Sequence, residues 1–149
     1  MSKKKFKNVL VVLGGNSGER QVSLDTGKAC IKALKKRNYK VKTFDPRFNN
    51  LNLINKQKTD VIFNALHGRD GEDGVAQSYF EYLKIPYTHS GVISSYNAMN
   101  KIISKEIFKK KKILTPNFFT LKKDEFNVDF LKRLLKKKKN QISYCFKTN

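Results

Sequence analysis

The sequence has no tryptophan, and only two cysteines, two histidines and three prolines; its 12 acidic residues are outnumbered by 32 basic ones. Cys30 and Cys145 lie far apart with no metal-type spacing around them. That pattern argues against a disulfide framework or a zinc motif and fits reduced thiols. No apolar run approaches the roughly 18 residues that a membrane helix needs. Residues 1–7 are basic, but only residues 9–13 are continuously apolar before glycines intervene, so nothing resembles a secretory signal. The expectation is a cytoplasmic protein with no membrane segment. With 39% hydrophobic residues in 149, the chain has material for one core, or one core and the start of a second.

The net charge of +20 first suggests nucleic acid, because clustered lysines neutralise phosphates and release counterions. Half of that charge falls in residues 107–149, which carry 13 Lys/Arg against 3 Asp/Glu. Yet 27 of the 32 basic residues are lysine, and aromatics do not interleave with the basic runs as a base-stacking platform requires. Solvated lysine faces are the better reading, and nucleic acid is an unlikely partner.

Residues 7–13 are rich in Val and Leu, as a buried parallel strand should be. A glycine-broken loop follows, and then apolar residues at Val22, Ala29, Ile31, Ala33 and Leu34 predict a helix over 22–37. Asn38 ends it, and Lys40–Phe44 reads as a second strand. Residues 49–58 are polar and irregular or briefly helical. Residues 60–66 read as a third strand, 75–83 as a helix and 85–88 as a fourth strand. A helix is expected over 94–111, a strand over 117–121 and an amphipathic helix over 124–139. This order implies an α/β fold, a Rossmann-like open sheet, mainly parallel, with helices on both faces. The domain boundary falls near Leu114, dividing the chain into 1–114 and an incomplete 115–149. In such sheets ligands bind outside the carboxyl ends of the strands, and both unusual glycine loops leave those ends.

The first loop runs Gly14-Gly15-Asn16-Ser17-Gly18-Glu19-Arg20-Gln21-Val22-Ser23. It matches neither the dinucleotide fingerprint nor the P-loop. Glu19 could hold an ammonium, but Glu19 and Ser23 equally suit simple helix-start roles. The second loop, His67-Gly68-Arg69-Asp70-Gly71-Glu72-Asp73-Gly74, gathers a histidine, acids and an arginine. His67 could face a carboxylate or phosphate, while Glu72 and Asp73 could merely cap the next helix. No second His or Cys stands near to support a metal site.

Taken together, G-G-x-S-x-E-R-x-V-S after the first strand and A-L-H-G-x-x-G-E-D-G after the third resemble the D-alanine–D-alanine ligase family of the ATP-grasp superfamily. The likeness continues through Pro86-Tyr87-Thr88, Ser90-Gly91-Val92, Met99-Asn100-Lys101 and Thr115-Pro116. It implies a pre-ATP-grasp, substrate-binding domain followed by the start of an ATP-grasp domain. The family joins two D-alanines for peptidoglycan through an acyl phosphate, using ATP and Mg²⁺, and a homodimer is possible by the same resemblance. Glu19 falls where the family binds the ammonium of the first D-alanine. Val22 matches a methyl-pocket residue, Ser23 the serine beside that glutamate, and His67 the histidine near the acyl phosphate. Gly68 and Gly71 keep the loop open to ligand. Lys101 matches a lysine contacting nucleotide phosphates. Asn100 departs from the aspartate usual before that lysine.

The Mg²⁺ ligands and most phosphoryl-transfer groups of the family belong to later domains. Where a V-K-P strand is expected, the chain reads Phe146-Lys147-Thr148, so Lys147 is a weak substitute for the strand lysine. The expectation is a truncated ligase, inactive alone. The alternatives are half of a split ligase, or a non-catalytic module binding a small amino acid or nucleic acid.

Overall fold

The computed structural model describes residues 6–116, 118, 120–121, 127–129, 132 and 145–146. The chain divides into two compact units, Met1–Met99 and Asn100–Asn149.

The first unit is built on three parallel strands, β1 (Asn8–Val12), β2 (Lys40–Phe44) and β3 (Val61–Asn64), in the order β2-β1-β3. Central β1 has no polar residue after Asn8, because both its faces are covered. Val9, Val11 and Leu13 enter a cluster with Ala65, against which Leu24, Ile31 and Leu34 of helix α1 (Arg20–Lys36) pack. Leu10 and Val12 enter the opposite cluster, with Ile62, Leu66, Ile85, and Ala76 and Phe80 of helix α2 (Val75–Tyr82). The period-2 alternation of a strand thus feeds two cores, one on each side of the sheet. The α1 helix ends where expected, with Asn38 in the left-handed region at φ 59°, a conformation that Asn tolerates well. Two short 3-10 turns, Leu51–Leu53 and Lys56–Lys58, occupy the segment before β3.

Two expectations need correction. The fourth strand is reduced to a single parallel bridge, Ile62 to Tyr87. The Ile62 amide donates to Pro86 and the Thr88 amide to Ile62. The ladder stops there because the next amide, Asn64, donates to the Thr88 side chain at 3.0 Å. The helix expected over 94–111 is two helices, α3 (Val92–Met99) and α4 (Lys101–Lys110). Asn100 lies between them in an extended conformation, and its Oδ1 accepts from the amides of Ile102 and Ile103. An asparagine used this way is an N-cap; periodicity alone cannot see the restart.

In the second unit, strands β4 (Thr120–Leu121) and β5 (Cys145–Phe146) pair in parallel. Most of the helix expected over 124–139, and Lys147, lie outside the described residues; within that span Val128, Asp129 and Lys132 are helical. Among the described residues, no helix is long and apolar enough to cross a membrane.

Candidate functional site

Strand β1 ends at Val12 and β3 at Asn64, and the two are neighbours. The chain leaves both carboxyl ends as the glycine loops, so these meet side by side. Hydroxyl groups join them. Ser17 Oγ donates to the His67 carbonyl at 2.6 Å and accepts from the Glu19 amide at 3.1 Å. Ser23 Oγ accepts from the Gly14 amide at 2.8 Å and donates to the Ala65 carbonyl at 2.7 Å. Ser23, which the resemblance matches to the serine beside the family's glutamate, is completely buried. Its hydroxyl is committed to backbone, so it ties the loops together and faces no open space.

Glu19 stands at the N-cap position of α1 without a side-chain capping bond. Its carboxylate instead lies over Gly68: a Cβ built there would come within 2.8 Å of Glu19 Oε1 and 3.2 Å of Ser17 Oγ. Gly68 also has φ 70°, a left-handed conformation that glycine adopts without cost. Among the described residues the Glu19 carboxylate takes no hydrogen bond or ion pair, although the chain carries 32 Lys/Arg. Val22, one turn on, is half exposed. Loop 1 is anchored from its other side by Arg20 and Asp45. Their ion pair is bidentate, at 2.7 and 3.0 Å, and Arg20 also donates to the Gly15 carbonyl at 2.9 Å. Asp45, just after β2, further accepts from the amides of Gly15 and Arg47.

Burial alone would raise the Asp45 carboxyl, but the Arg20 hydrogen bonds, the Arg47 and Gly15 amides and the Arg20 charge together hold it below the usual carboxylate range. A carboxyl lowered in the folded state contributes stability above its unfolded value, about 3.9, and loses it as pH falls through the folded value. Asp60 is lowered too, by the Asn8 and Lys7 amides that donate to it at 2.8 Å. Asp45→Asn is therefore expected to be less stable at pH 7 and to show a shallower loss of stability below about pH 4, with Asp60 supplying the remaining slope. Urea melts across pH 2–7 check this; parallel acid limbs for the two proteins would refute it.

His67 follows β3 with its ring between two side chains. Nε2 is 3.2 Å from Thr26 Oγ1, and Nδ1 is 3.4 Å from Glu72 Oε1. Of the two acids left open as caps, Asp73 serves that end, accepting from the amides of Val75 and Asp70. Glu72 turns back, and its Oε2 accepts from the Gly68 amide at 3.1 Å. Beneath the loop, Asn64 Nδ2 and Gln77 Nε2 both donate to the Gly71 carbonyl, at 3.0 and 2.9 Å. A cavity of about 250 Å³ opens beside His67, lined among others by Thr26, Asn64, Gln77, His89 and Ser95. Gln77 Oε1, buried, has no hydrogen-bond partner among the described residues.

The structure thus brings Glu19, Ser23, His67 and Gly68 together. Lys101 belongs to the second unit, where it is exposed at the first position of α4 behind the Asn100 cap. Arg20, Thr26, Asp45, Asn64 and Gln77 were not singled out from the sequence. A signal existed for Thr26, which follows Glu19 by seven residues and Ser23 by three, and so shares their face of α1.

These features define a class: a parallel α/β domain whose glycine loops leave adjacent strands where the strand order reverses, the place at which such sheets bind ligands. Residues 44–90 match the family model described as D-ala D-ala ligase N-terminus. A D-alanine–D-alanine ligase of Pelagibacter ubique (strain HTCC1062) is 54% identical over 124 residues, covering 82% of this chain and 41% of the relative. D-alanine–D-alanine ligase B of Mesorhizobium japonicum is 52% identical over 105 residues, covering 70% and 34%. Among solved structures, a D-alanine–D-alanine ligase from Bacillus anthracis superposes with a TM-score of 0.71 at 38% identity, over 86% of this chain and 43% of that one. A second structure from Bacillus anthracis, complexed with ATP, gives 0.68 at 37% identity, over 86% and 44%. The chain spans less than half the length of these relatives. Through that region, it belongs with the D-alanine–D-alanine ligases as a counterpart of their N-terminal part.

Proposed function

We propose that this chain provides the substrate side of a cytoplasmic, ATP-dependent D-alanine–D-alanine ligase acting in peptidoglycan synthesis. Residues 1–114 form the substrate-binding domain in this reading, and 115–149 begin an ATP-grasp domain. The observation that carries it is the Glu19 carboxylate, unpaired among the described residues and held over Gly68 in a strongly cationic protein. A carboxylate without a cation partner among the described residues, at the meeting of two strand-end loops, suits a ligand ammonium, here that of the first D-alanine. Val22 offers apolar surface to the methyl group, and Ser17 and Ser23 fix the loops that carry Glu19. His67 and Gly68 border the same place from the second loop.

Lys101 is the proposed nucleotide contact. Its exposed ammonium at the start of α4 fits a phosphate as a point charge. ATP, when bound, supplies the phosphoryl group that activates the first D-alanine carboxylate. Among the described residues no group of three or more His, Cys, Asp or Glu is gathered to hold a metal.

A chimera tests the proposal: residues 1–119 of this chain replace the matching segment of the Pelagibacter ubique relative. D-alanine-dependent ATP hydrolysis is expected. Glu19→Gln in the chimera should raise the KM for the first D-alanine about 10- to 100-fold, the loss of a charge-assisted hydrogen bond of about 1.5–3 kcal/mol. A folded chimera without activity, or a Glu19→Gln variant with unchanged KM, would overturn it.

A further inference from the structure

We propose that Thr26 and Glu72 are positioning residues that hold neutral His67 in the Nδ1–H tautomer, with Nε2 accepting from the Thr26 hydroxyl. The ring sits between them, Nδ1 3.4 Å from Glu72 Oε1 and Nε2 3.2 Å from Thr26 Oγ1. An ionised carboxylate only accepts, whereas a threonine hydroxyl both donates and accepts. Glu72 therefore sets the sense of the arrangement. Turning the tautomer round would set the Nδ1 lone pair against a carboxylate oxygen, while Thr26 can serve either form. Glu72 is itself held, because its other oxygen accepts from the Gly68 amide. Thr26 is held by α1, the helix that also presents Glu19 and Ser23.

The arrangement has a consequence for the site. Neutral His67 has no N–H to offer a substrate anion: its one proton faces Glu72, and its lone pair is served by Thr26. When protonated, both ring nitrogens still lie beside these two side chains, at 3.2 and 3.4 Å. His67 then acts by shaping and bracing the second loop, and Glu72 is the link from the ring to the Gly68 amide under Glu19. This consequence rests on the ligase reading of the site; the tautomer does not.

The test is long-range ¹H–¹⁵N correlation of the imidazoles in the ¹⁵N-labelled 149-residue chain, without substrate, at alkaline pH where imidazoles are neutral. His89→Gln leaves His67 as the sole histidine. Nδ1 is expected at the protonated position and Nε2 at the lone-pair position. Glu72→Leu should exchange the two, the new Nε2–H donating to Thr26; Glu72→Gln, whose amide oxygen still accepts, should keep the original pattern. Thr26→Val should move Nε2 toward the value of an unbonded lone pair, and Thr26→Ser should restore it. Backbone amide spectra confirm that each variant is folded. An Nε2–H ring in the parent chain, an unchanged pattern in Glu72→Leu, or an unmoved Nε2 in Thr26→Val would each overturn the proposal. Since no substrate is present, these outcomes are independent of whether the chimera ligates D-alanine.

Discussion

Ser23→Ala is expected to lower the unfolding free energy by about 2–4 kcal/mol, although it removes one oxygen atom. That oxygen serves two backbone groups with no strand partner: the Gly14 amide beyond β1 and the Ala65 carbonyl beyond β3. Ser23 is fully buried, so water cannot readily take its place. Each orphaned buried group costs roughly 1–3 kcal/mol, and the two losses overlap because one cavity exposes both. In urea melts the midpoint should fall with little change in slope. A loss under about 0.5 kcal/mol, the range of ordinary surface substitutions, would show that the tie is dispensable.

The second large effect is expected at Gly71. A Cβ there would collide with the Leu66 Cβ and stand 3.0 Å from the Leu66 carbonyl carbon and 3.2 Å from the His67 amide. Two of those neighbours are backbone, so rotating a side chain cannot relieve the contact. If the turn shifts instead, the Gly71 carbonyl leaves the Asn64 and Gln77 amides that it now satisfies. Both are buried, and Gln77 already carries an oxygen without a partner among the described residues. Overpacking and the lost bonds together suggest a cost of about 3 kcal/mol or more for Gly71→Ala. The amide resonances of residues 64–72 should move as a group. Gly18→Ala is the control: a Cβ there meets nothing within 4 Å, so its stability should change by less than about 0.5 kcal/mol. Equal effects at the two glycines would contradict this account of the second loop.

The contrast between these glycines marks the limit of sequence reading. Gly18 and Gly71 look alike in the chain, each inside a polar loop; what separates them is Leu66, folded back under the second. Likewise Glu72 and Asp73 are adjacent acids before a helix, and either could cap it. One accepts from the first amide of that helix and the other turns back to a histidine ring, a choice made by where the Gly68 amide and His67 come to lie. The helix break at Asn100 escaped detection for a related reason. Apolar spacing continues across it, and only the extended backbone there shows that the asparagine starts a new helix.

By itself the sequence determined the sheet and its two cores, because a Val/Leu run alternating between faces and helices with one apolar stripe have few other ways to bury their surface. It also placed both glycine loops at strand ends, and through their joint pattern it pointed to the D-alanine–D-alanine ligases. The tertiary structure decided which loop residues touch. Ser23 meets Ala65 across 42 residues of chain, Thr26 meets His67 across 41, and Arg20 meets Asp45 across 25. Hydrogen bonds of a few ångströms between such distant residues leave no periodic trace. They are fixed by strand order, which brings the ends of β1, β2 and β3 side by side and sets the first turns of α1 over them.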